Sequence, residues 1–167
     1  MLKFIKCRDV KSPERWTKFS SWYDFFIPYD LDKISKTPKS ANIWEFDVEE
    51  NWCIHIYPQE WVLIPSWIKT IIESWYDLVF DNKSWVAVKE WLIIWASVID
   101  SDYRWEIHLH LINTSNYIIT LQLGQKVAQA ILRKVELVNP IEITEEEFIK
   151  ESDTERWTGW FGSTWDK

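Results

Sequence analysis

Asp100 is a candidate general base because of its position in the sequence. The apolar run from Leu92 to Ile99 predicts a strand, and Asp100 follows it directly. A carboxylate held at the end of a buried strand and partly desolvated can take a proton from water. The segment that begins at Asp100 is also typical of a β-hairpin turn, which is the commoner interpretation when it is considered alone.

Two further segments have residue types that suit phosphate binding. Lys83, Ser84 and Trp85 follow a predicted strand and open a short predicted helix, where a cation, a hydroxyl and free N–H groups could hold an anion. A solvated loop with a capping serine is the alternative. The segment from Gly124 to Gln129 has the same ambiguity, since it reads as a hairpin turn leading into a strand.

The C-terminal segment combines four features that suit a nucleotide. Arg156 can bind phosphate through two parallel hydrogen bonds. The hydroxyls of Ser163 and Thr164 and the backbone of Gly162 could wrap further phosphate oxygens, and Phe161 could stack on a flat ring. A disordered tail is the alternative, but such tails seldom combine these four capabilities.

A β-rich scaffold must position these groups. Many short apolar runs at near-regular spacing predict a sandwich or barrel. A short helix is predicted at 86–90 and a weaker one at 144–150, where Thr144 and Glu147 resemble a capping box. The predicted strands are 53–57, 61–65, 68–72, 76–80, 92–99, 106–112, 117–123 and 127–138, the last with a bend.

Length and composition predict one globular domain. The chain has 167 residues, of which 47% are hydrophobic and 27% charged. We expect the domain at 1–150, with a loop insertion at about 29–51, and a flexible arm at 151–167. The net charge of -7 disfavours long nucleic acid as a partner, although a small polyphosphate remains open.

Membrane insertion and secretion are not expected. No apolar run approaches the length of a bilayer span, and the N-terminal residues lack the apolar region of a signal peptide. The two cysteines make no disulfide framework, which fits a reducing cytoplasm.

The composition is unusual in one respect, since the chain has 14 Trp and only 3 Gly. An average chain has about 7% Gly, and sharp turns depend on it. The pattern is that of a glycine-containing sequence in which Trp replaces Gly. Tryptophans stand where turn chemistry favours glycine in Asn51-Trp52, Ser66-Trp67, Ser74-Trp75, Ser84-Trp85 and Glu90-Trp91.

Taken together and in this order, the segments resemble the five motifs of the trimeric deoxyuridine triphosphatase (dUTPase) family, with most family glycines present as Trp. The resemblance extends from about residue 21 to the C-terminus, and its third and fifth motifs are specific. The matching segments are Ser21-Trp22-Tyr23-Asp24-Phe25, Lys83-Ser84-Trp85-Val86-Ala87, and the segments 97–106, 124–129 and 156–165.

The resemblance implies an all-β, jelly-roll-like (β-clip) subunit that forms a homotrimer, with each site at a subunit boundary. It implies hydrolysis of dUTP to dUMP and pyrophosphate, with Asp100 deprotonating a water that attacks the α-phosphate in line. Tyr103 would pack under the deoxyribose and exclude a 2′-hydroxyl, while the backbone around 99–107 would read the uracil edge.

The resemblance also implies how the triphosphate is held. Mg²⁺ would bridge the phosphates, with Asp24 reaching the ion directly or through water, and it would neutralise developing charge together with the cations. The fifth motif would close over the γ-phosphate and stack on uracil. The substrate-binding residues implied are Lys83, Ser84, Trp85, Ile99, Tyr103, Gln129, Arg156, Phe161, Gly162, Ser163 and Thr164.

Departures from the family pattern give two further expectations. Gln125 and Lys126 replace an acid and an arginine, so a structural ion pair of the fourth motif is expected to be absent. One explanation is that the tryptophans do not represent the side chains of the natural protein and stand at glycine positions; several should then have positive φ, and their side chains should not fit. The other explanation is a deliberately altered chain, which should fold poorly and lack activity. The tryptophans that fall on family glycines are Trp22, Trp85, Trp105, Trp157, Trp160 and Trp165.

Three alternative functions remain open. One is a non-catalytic module that binds a nucleotide and signals to a partner protein, and another is an enzyme similar to dCTP deaminase. The third is a metal site, since Cys53 and His55 share one strand face, as do His108 and His110, and the four could converge if their strands pair.

Overall fold

The computed structural model describes residues 1–31, 33–36, 44–47 and 53–152, with 33–36 and 44–47 as backbone only. These residues form mostly β-strands, together with two helices of seven residues. The elements are β1 (Leu2–Lys6), β2 (Tyr23–Phe26), β3 (Lys33–Lys36), β4 (Trp44–Asp47), β5 (Cys53–Ile56), β6 (Trp61–Pro65), β7 (Ile68–Ile72), β8 (Tyr76–Asn82), α1 (Ser84–Glu90), β9 (Leu92–Ile94), β10 (Val98–Ile99), β11 (His108–Asn113), β12 (Ile119–Gln122), β13 (Lys126–Lys134) and α2 (Glu145–Glu151).

The strands pair antiparallel in two larger sheets and two strand pairs. One sheet has the order β4-β3-β6-β11-β9, and the other has the order β10-β8-β13-β2. The two pairs are β1-β7 and β12-β5. The prediction of an all-β fold is therefore confirmed. Neither helix in the described part of the chain is long and apolar enough to cross a bilayer.

The core is made of branched apolar side chains from the inner faces of these strands. Buried and partly exposed residues alternate along β6, as expected for a strand with one face in the core. Ile64 on β6, Leu109 on β11 and Leu78 on β8 are at most 1% exposed. Each such side chain contributes about 1.5–3 kcal/mol by leaving water, so the core fixes the sheets that position the polar groups.

Three predicted segments differ in the structure. The strand predicted at 127–138 is shorter, because β13 ends at Lys134. The run 92–99 is not one strand, because β9 joins the five-stranded sheet whereas β10 joins the four-stranded one. Between them, the Trp95 N–H donates to the His110 carbonyl and the Ser97 carbonyl accepts from the Phe80 N–H, so the chain passes from one sheet to the other. The expected loop insertion contains β3 and β4, which pair with each other, and β3 also pairs with β6.

The chain divides into two compact units, Met1–Glu136 and Leu137–Lys167. The second unit contains α2, where the predicted capping box is confirmed. The Thr144 side chain accepts from the Glu147 N–H, and the Glu147 carboxylate accepts from the Thr144 N–H. The Glu147 carboxylate accepts hydrogen bonds from the Thr144 N–H and from the Thr144 hydroxyl, and these lower the pKa of Glu147.

Several tryptophans have left-handed backbone conformations, which confirms the prediction of positive φ. Trp67, Trp75 and Trp91 have φ of 56°, 75° and 54°. Trp75 and Trp91 are more than half exposed, whereas Trp67 is buried. Trp85 lies within α1 and does not have a positive φ.

Candidate functional site

A row of polar residues crosses three strands of the β10-β8-β13-β2 sheet. Asp24 on β2 lies directly opposite Gln129 on β13, and Gln129 lies opposite Asp81 on β8. Residues directly opposite each other in antiparallel strands project from the same face. The row therefore gathers two carboxylates and an amide next to the end of β8, where Lys83 follows.

Asp24 is bound by two lysines. Its Oδ1 accepts from Lys83 Nζ at 2.9 Å, and its Oδ2 accepts from Lys126 Nζ at 2.8 Å. Asp24 is only 4% exposed, whereas the lysine side chains are about one quarter exposed, at 24% and 25%. We call Asp24, Lys83, Lys126 and Gln129 the Asp24 cluster. Asp24 neutralises one of the two ammonium groups, and the exposed Asp81 carboxylate in the same row balances the other, so the region offers two partly exposed lysine donors to an anion without a net positive charge.

Lys126 of the fourth motif forms an ion pair that the sequence analysis did not predict. Lys126 pairs with Asp24 from the first motif, and the Gln125 side-chain oxygen instead accepts from the Gln122 N–H. Sequence reasoning missed Lys126 because its partner lies 102 residues away in the chain. The only sequence signal for this role was that Lys126 is a cation at the start of a predicted strand, which had to lie beside an unidentified partner strand.

The other predicted phosphate ligands surround this cluster. Gln129 donates from Nε2 to the Asn82 carbonyl at 3.0 Å, so its amide is already oriented. Ser84 and Trp85 begin α1 and are exposed, and the Lys89 ammonium lies 5.3 Å from the centre of the Trp85 ring. The structure therefore brings Asp24, Lys83 and Gln129 together at one end of the sheet, with Ser84 next in the chain.

Asp100 is exposed, contrary to the expectation of a partly desolvated carboxylate after a buried strand. It follows the two-residue strand β10, whose Val98 is 53% exposed. Asp100 begins a tight turn in which its carbonyl accepts from the Tyr103 N–H at 3.1 Å. The burial prediction was wrong because β10 pairs only with β8 and is the outer strand of its sheet.

Tyr103 is held firmly beside this turn. Its hydroxyl donates to the Glu106 carbonyl at 2.9 Å, and its ring packs against the core. The Glu106 carboxylate accepts from the Trp67 N–H at 2.7 Å, which anchors the segment between β10 and β11; these strands lie in different sheets, so the segment is not a hairpin. Ile99 is partly buried and pairs with Leu78. The turn therefore presents an exposed carboxylate beside a fixed aromatic ring.

These two groups lie far apart within one chain. Ile99 is in register with Leu78, three residues along β8 from Asp81, and three strand spacings separate β10 from β2. With about 3.4 Å per residue and 4.8 Å per strand, Ile99 and Asp24 are about 18 Å apart along the sheet. Asp100 follows Ile99 away from the Asp24 cluster, so one chain does not bring both groups to one phosphate.

The predicted residues of the fifth motif lie outside the described residues. They are Arg156, Phe161, Gly162, Ser163 and Thr164.

The alternative metal site made of two Cys-His pairs is wrong. Cys53 and His55 are on β5, which pairs with β12, whereas His108 and His110 are on β11, which pairs with β6 and β9. In the described residues, no group of three or more His, Cys, Asp or Glu side chains is placed to bind a metal. The strand pairing therefore separates the four candidate ligands.

Asp24 fits Mg²⁺ only in a limited way. Both of its oxygens accept from lysines, so direct coordination would replace one of those ion pairs. Mg²⁺ usually keeps several waters and binds through one or two carboxylates together with substrate phosphates. The donor set therefore fits an ion that arrives on a polyphosphate and meets Asp24 through water.

Burial lowers the pKa of one histidine near the middle of β11. His110 lies between two indoles, stacked on Trp95 at 5.6 Å and edge-on to Trp61 at 5.1 Å. Desolvation favours the neutral ring, which lowers the pKa of His110 below its usual value.

Comparisons with known proteins agree on one family. A family model described as dUTPase matches residues 34–165. The deoxyuridine 5′-triphosphate nucleotidohydrolase of Nautilia profundicola is 36% identical over 121 residues, which cover 71% of this chain and 82% of that protein.

Two solved structures have the same fold. The Staphylococcus bacteriophage 80alpha dUTPase with dUPNHPP has a TM-score of 0.72 and 20% identity, covering 98% of each chain. A dUTPase from phage phi11 of S. aureus, described with a structural Mg(II) ion, has a TM-score of 0.66 and 18% identity, covering 89% of this chain and 99% of that one.

Proposed function

Because the chain belongs to the dUTPase family, we propose that it hydrolyses dUTP to dUMP and pyrophosphate. The reaction is an in-line attack of water on the α-phosphate, with Asp100 as the general base. The observation that carries the proposal is the Asp24 cluster, which gathers two partly exposed lysine ammonium groups at one end of the sheet in an acidic chain. Localised cations can bind a polyphosphate despite a net charge of -7.

In this proposal the cluster binds the triphosphate. Lys83 and Lys126 donate from Nζ to phosphate oxygens, and their positive charge stabilises the charge that develops as the bond to the leaving pyrophosphate breaks. Gln129, already oriented by the Asn82 carbonyl, supports the phosphate and the water. The Ser84 hydroxyl and the Trp85 backbone N–H supply further donors from the start of α1.

Asp100 accepts the proton of the attacking water. A base must lie within hydrogen-bonding distance of the water, or one water away from the proton that it removes. Since Asp100 lies on the far side of the sheet from the Asp24 cluster of its own chain, it must serve the cluster of another copy. This requirement supports a homotrimer in which each site combines residues from neighbouring subunits.

The turn after β10 supplies selectivity for the nucleoside. Tyr103, fixed through its hydroxyl, packs under the deoxyribose and leaves no room for a 2′-hydroxyl. Ile99 and the backbone that follows it read the uracil edge. The fifth motif completes the enclosure, with Phe161 stacking on uracil and Arg156, Gly162, Ser163 and Thr164 binding the γ-phosphate.

Mg²⁺ is part of the proposal as an ion carried by the triphosphate. When bound, it neutralises charge on the phosphates, and Asp24 holds it through water. We also propose a cytoplasmic location, supported by the absence of a disulfide between Cys7 and Cys53.

A nucleotide panel tests the activity. Pyrophosphate release should be seen with dUTP and Mg²⁺, much less with dTTP, dCTP or UTP, and should be lost in Asp100→Asn. Removing the base should cost about 10²–10⁴-fold in kcat. Binding of dUTP without turnover in either protein would favour the signalling module, and ammonia release from dCTP would favour the deaminase.

Subunit mixing tests the shared site. Asp100→Asn should be nearly inactive and Lys83→Met strongly impaired, but co-refolded chains should exceed both, because mixed trimers contain sites with both wild-type residues. Random assortment predicts activity at about a quarter of the sites. Mixing Asp100→Asn with Tyr103→Ala is the control, since both changes affect the same half of the site and no activity should return.

A further inference from the structure

Two turns in the structure have the same backbone geometry but different residues at the third position. In the turn from Gln122 to Gln125, the Gln125 N–H donates to the Gln122 carbonyl at 3.1 Å, and Gly124 has φ of 76°. In the turn from Glu73 to Tyr76, the corresponding hydrogen bond is also 3.1 Å, and Trp75 has φ of 75°. A turn with φ near +80° at its third residue requires glycine or asparagine there.

The end of α1 shows the same preference. Trp91 follows the helix with φ of 54° and ψ of 26°, and its N–H donates to the Ala87 carbonyl at 3.1 Å. This left-handed helix cap is most often glycine, because a side chain is penalised in that conformation. Trp67, at the corner between β6 and β7, is the third tryptophan with a left-handed backbone.

At two of these positions, Trp75 and Trp91, the indole gains little that would offset the strain, whereas the Trp67 indole is 4% exposed and packs in the core. A left-handed backbone costs a residue with a side chain roughly 1–2 kcal/mol. Trp75 and Trp91 are 54% and 57% exposed, so their rings are largely in water. Trp61 differs, because it lies within strand β6 and its ring contacts His110 edge-on at 5.1 Å. The tryptophans therefore fall into two structural classes.

The identity of the strained residues is informative. Among the described residues, four non-glycine residues have positive φ, and three of them are Trp, with Gln59 the fourth. Independent loss of glycines would favour Asn and Asp, which tolerate this conformation best. Repeated replacement by one of the least suitable residues, in a chain with 3 Gly and 14 Trp, indicates a single systematic exchange.

We propose that the protein made in its own cell has glycine at these positions. One codon would be translated as glycine in that cell, whereas the sequence given above translates the same codon as tryptophan. UGA has the required property, since it differs by one base from the tryptophan codon UGG and from the glycine codon GGA, and its meaning differs among translation systems. The exchange covers Trp67, Trp75 and Trp91, identified from the backbone, and Trp22, Trp85, Trp105, Trp157, Trp160 and Trp165, identified from the motifs.

The exchange has a consequence for the site, which rests on the proposed function. Trp85 adjoins Ser84 beside the Asp24 cluster, and the Trp105 ring lies 5.6 Å from the Tyr103 ring. Glycine at both positions would remove two exposed indoles and let the backbone approach the nucleotide closely. We therefore expect the glycine form to be the more active of the two.

Sequencing the gene and mass spectrometry of the protein purified from its own cell test the inference without any activity assay. We expect UGA codons at 67, 75 and 91 with glycine in the corresponding peptides, and UGG with tryptophan at 61. Tryptophan in the native peptides at 67, 75 and 91 would overturn the proposal. Since neither readout involves dUTP, the result is independent of the proposed enzymatic activity.

A stability series tests the backbone argument separately. Trp75→Gly and Trp75→Ala both remove the indole, but only glycine relieves the left-handed strain, so the folding constant of Trp75→Gly should be roughly tenfold higher. Trp61→Gly is the matched control and should lower the melting temperature. Equal stability of Trp75→Gly and Trp75→Ala would contradict the argument. If the parent chain does not fold, the masses of the native peptides at 67, 75 and 91 test the proposal instead.

Discussion

Two buried carboxylates in the same sheet have different sets of cations. Asp77 on β8 is 6% exposed and binds one arginine, with Arg133 donating from Nε at 3.2 Å and from Nη2 at 2.6 Å to its two oxygens. Asp24 is buried to the same degree, but it binds two lysines, one on each oxygen. The first carboxylate is matched by one cation, and the second is matched by two.

The geometry of the two groups suits different roles. Arg133 lies directly opposite Asp77 in the pairing of β13 with β8, and its planar fork matches both carboxylate oxygens. This interaction raises the pKa of Arg133. Lys83 and Lys126 are flexible point charges that can turn from Asp24 to another anion without leaving the site. We infer that the Asp77 pair stabilises the sheet, whereas the Asp24 cluster binds substrate.

The largest expected effect distinguishes these roles at Lys83. Lys83→Met should lower kcat/KM for dUTP by about 10–100-fold, since a hydrogen bond from a charged group is worth about 1.5–3 kcal/mol. The urea midpoint should change little because Asp24 keeps Lys126. Lys83→Arg is the control, since it retains the charge and should keep most of the activity. A loss of stability without a loss of kcat/KM would assign Lys83 the same role as Arg133.

Local sequence patterns could predict most of the elements. The alternating run 53–57 became β5, and short apolar runs bounded by Pro, Ser and Asp became β6 to β8. The capping box at Thr144 begins α2 as predicted. The run 92–99 was misread because its hydrophobicity is continuous while its partners change from β11 to β8 after Ile94. Pairing partners are set by contacts distant in sequence, which single-strand periodicity does not contain.

The site was predicted in part for the same reason. Motif order identified Asp24, Lys83 and Gln129, and cross-strand register brings them together. The role of Lys126 was missed because the residues near it in sequence do not indicate that Asp24 is its partner. The exposure of Asp100 was also missed, since a strand read from sequence does not reveal whether it lies at the edge of its sheet.

The next largest effect should appear at the other end of the sheet. Arg133→Met leaves the Asp77 carboxylate buried without its cation, which is unfavourable in a region of low polarity. The urea midpoint should fall, whereas kcat/KM of the folded enzyme should be unchanged. Asp77→Asn is the companion variant, and the double variant should be less destabilised than the sum of the single changes. Reduced kcat/KM in folded Arg133→Met would break the proposed division of roles.

The smallest effect is expected when the Arg133 fork is replaced by a point charge. Arg133→Lys keeps the positive charge but loses the planar pair of donors that matches both Asp77 oxygens, so it should restore part of the stability lost in Arg133→Met. The urea midpoint should therefore lie between those of wild type and Arg133→Met, with kcat/KM unchanged in all three. Equal midpoints for Arg133→Lys and Arg133→Met would mean that charge alone does not stabilise this end of the sheet. Full recovery in Arg133→Lys would mean that the planar guanidinium adds nothing beyond its charge. The difference between Asp77 and Asp24 would then depend on the number of cations that each carboxylate binds, and not on the shape of those cations.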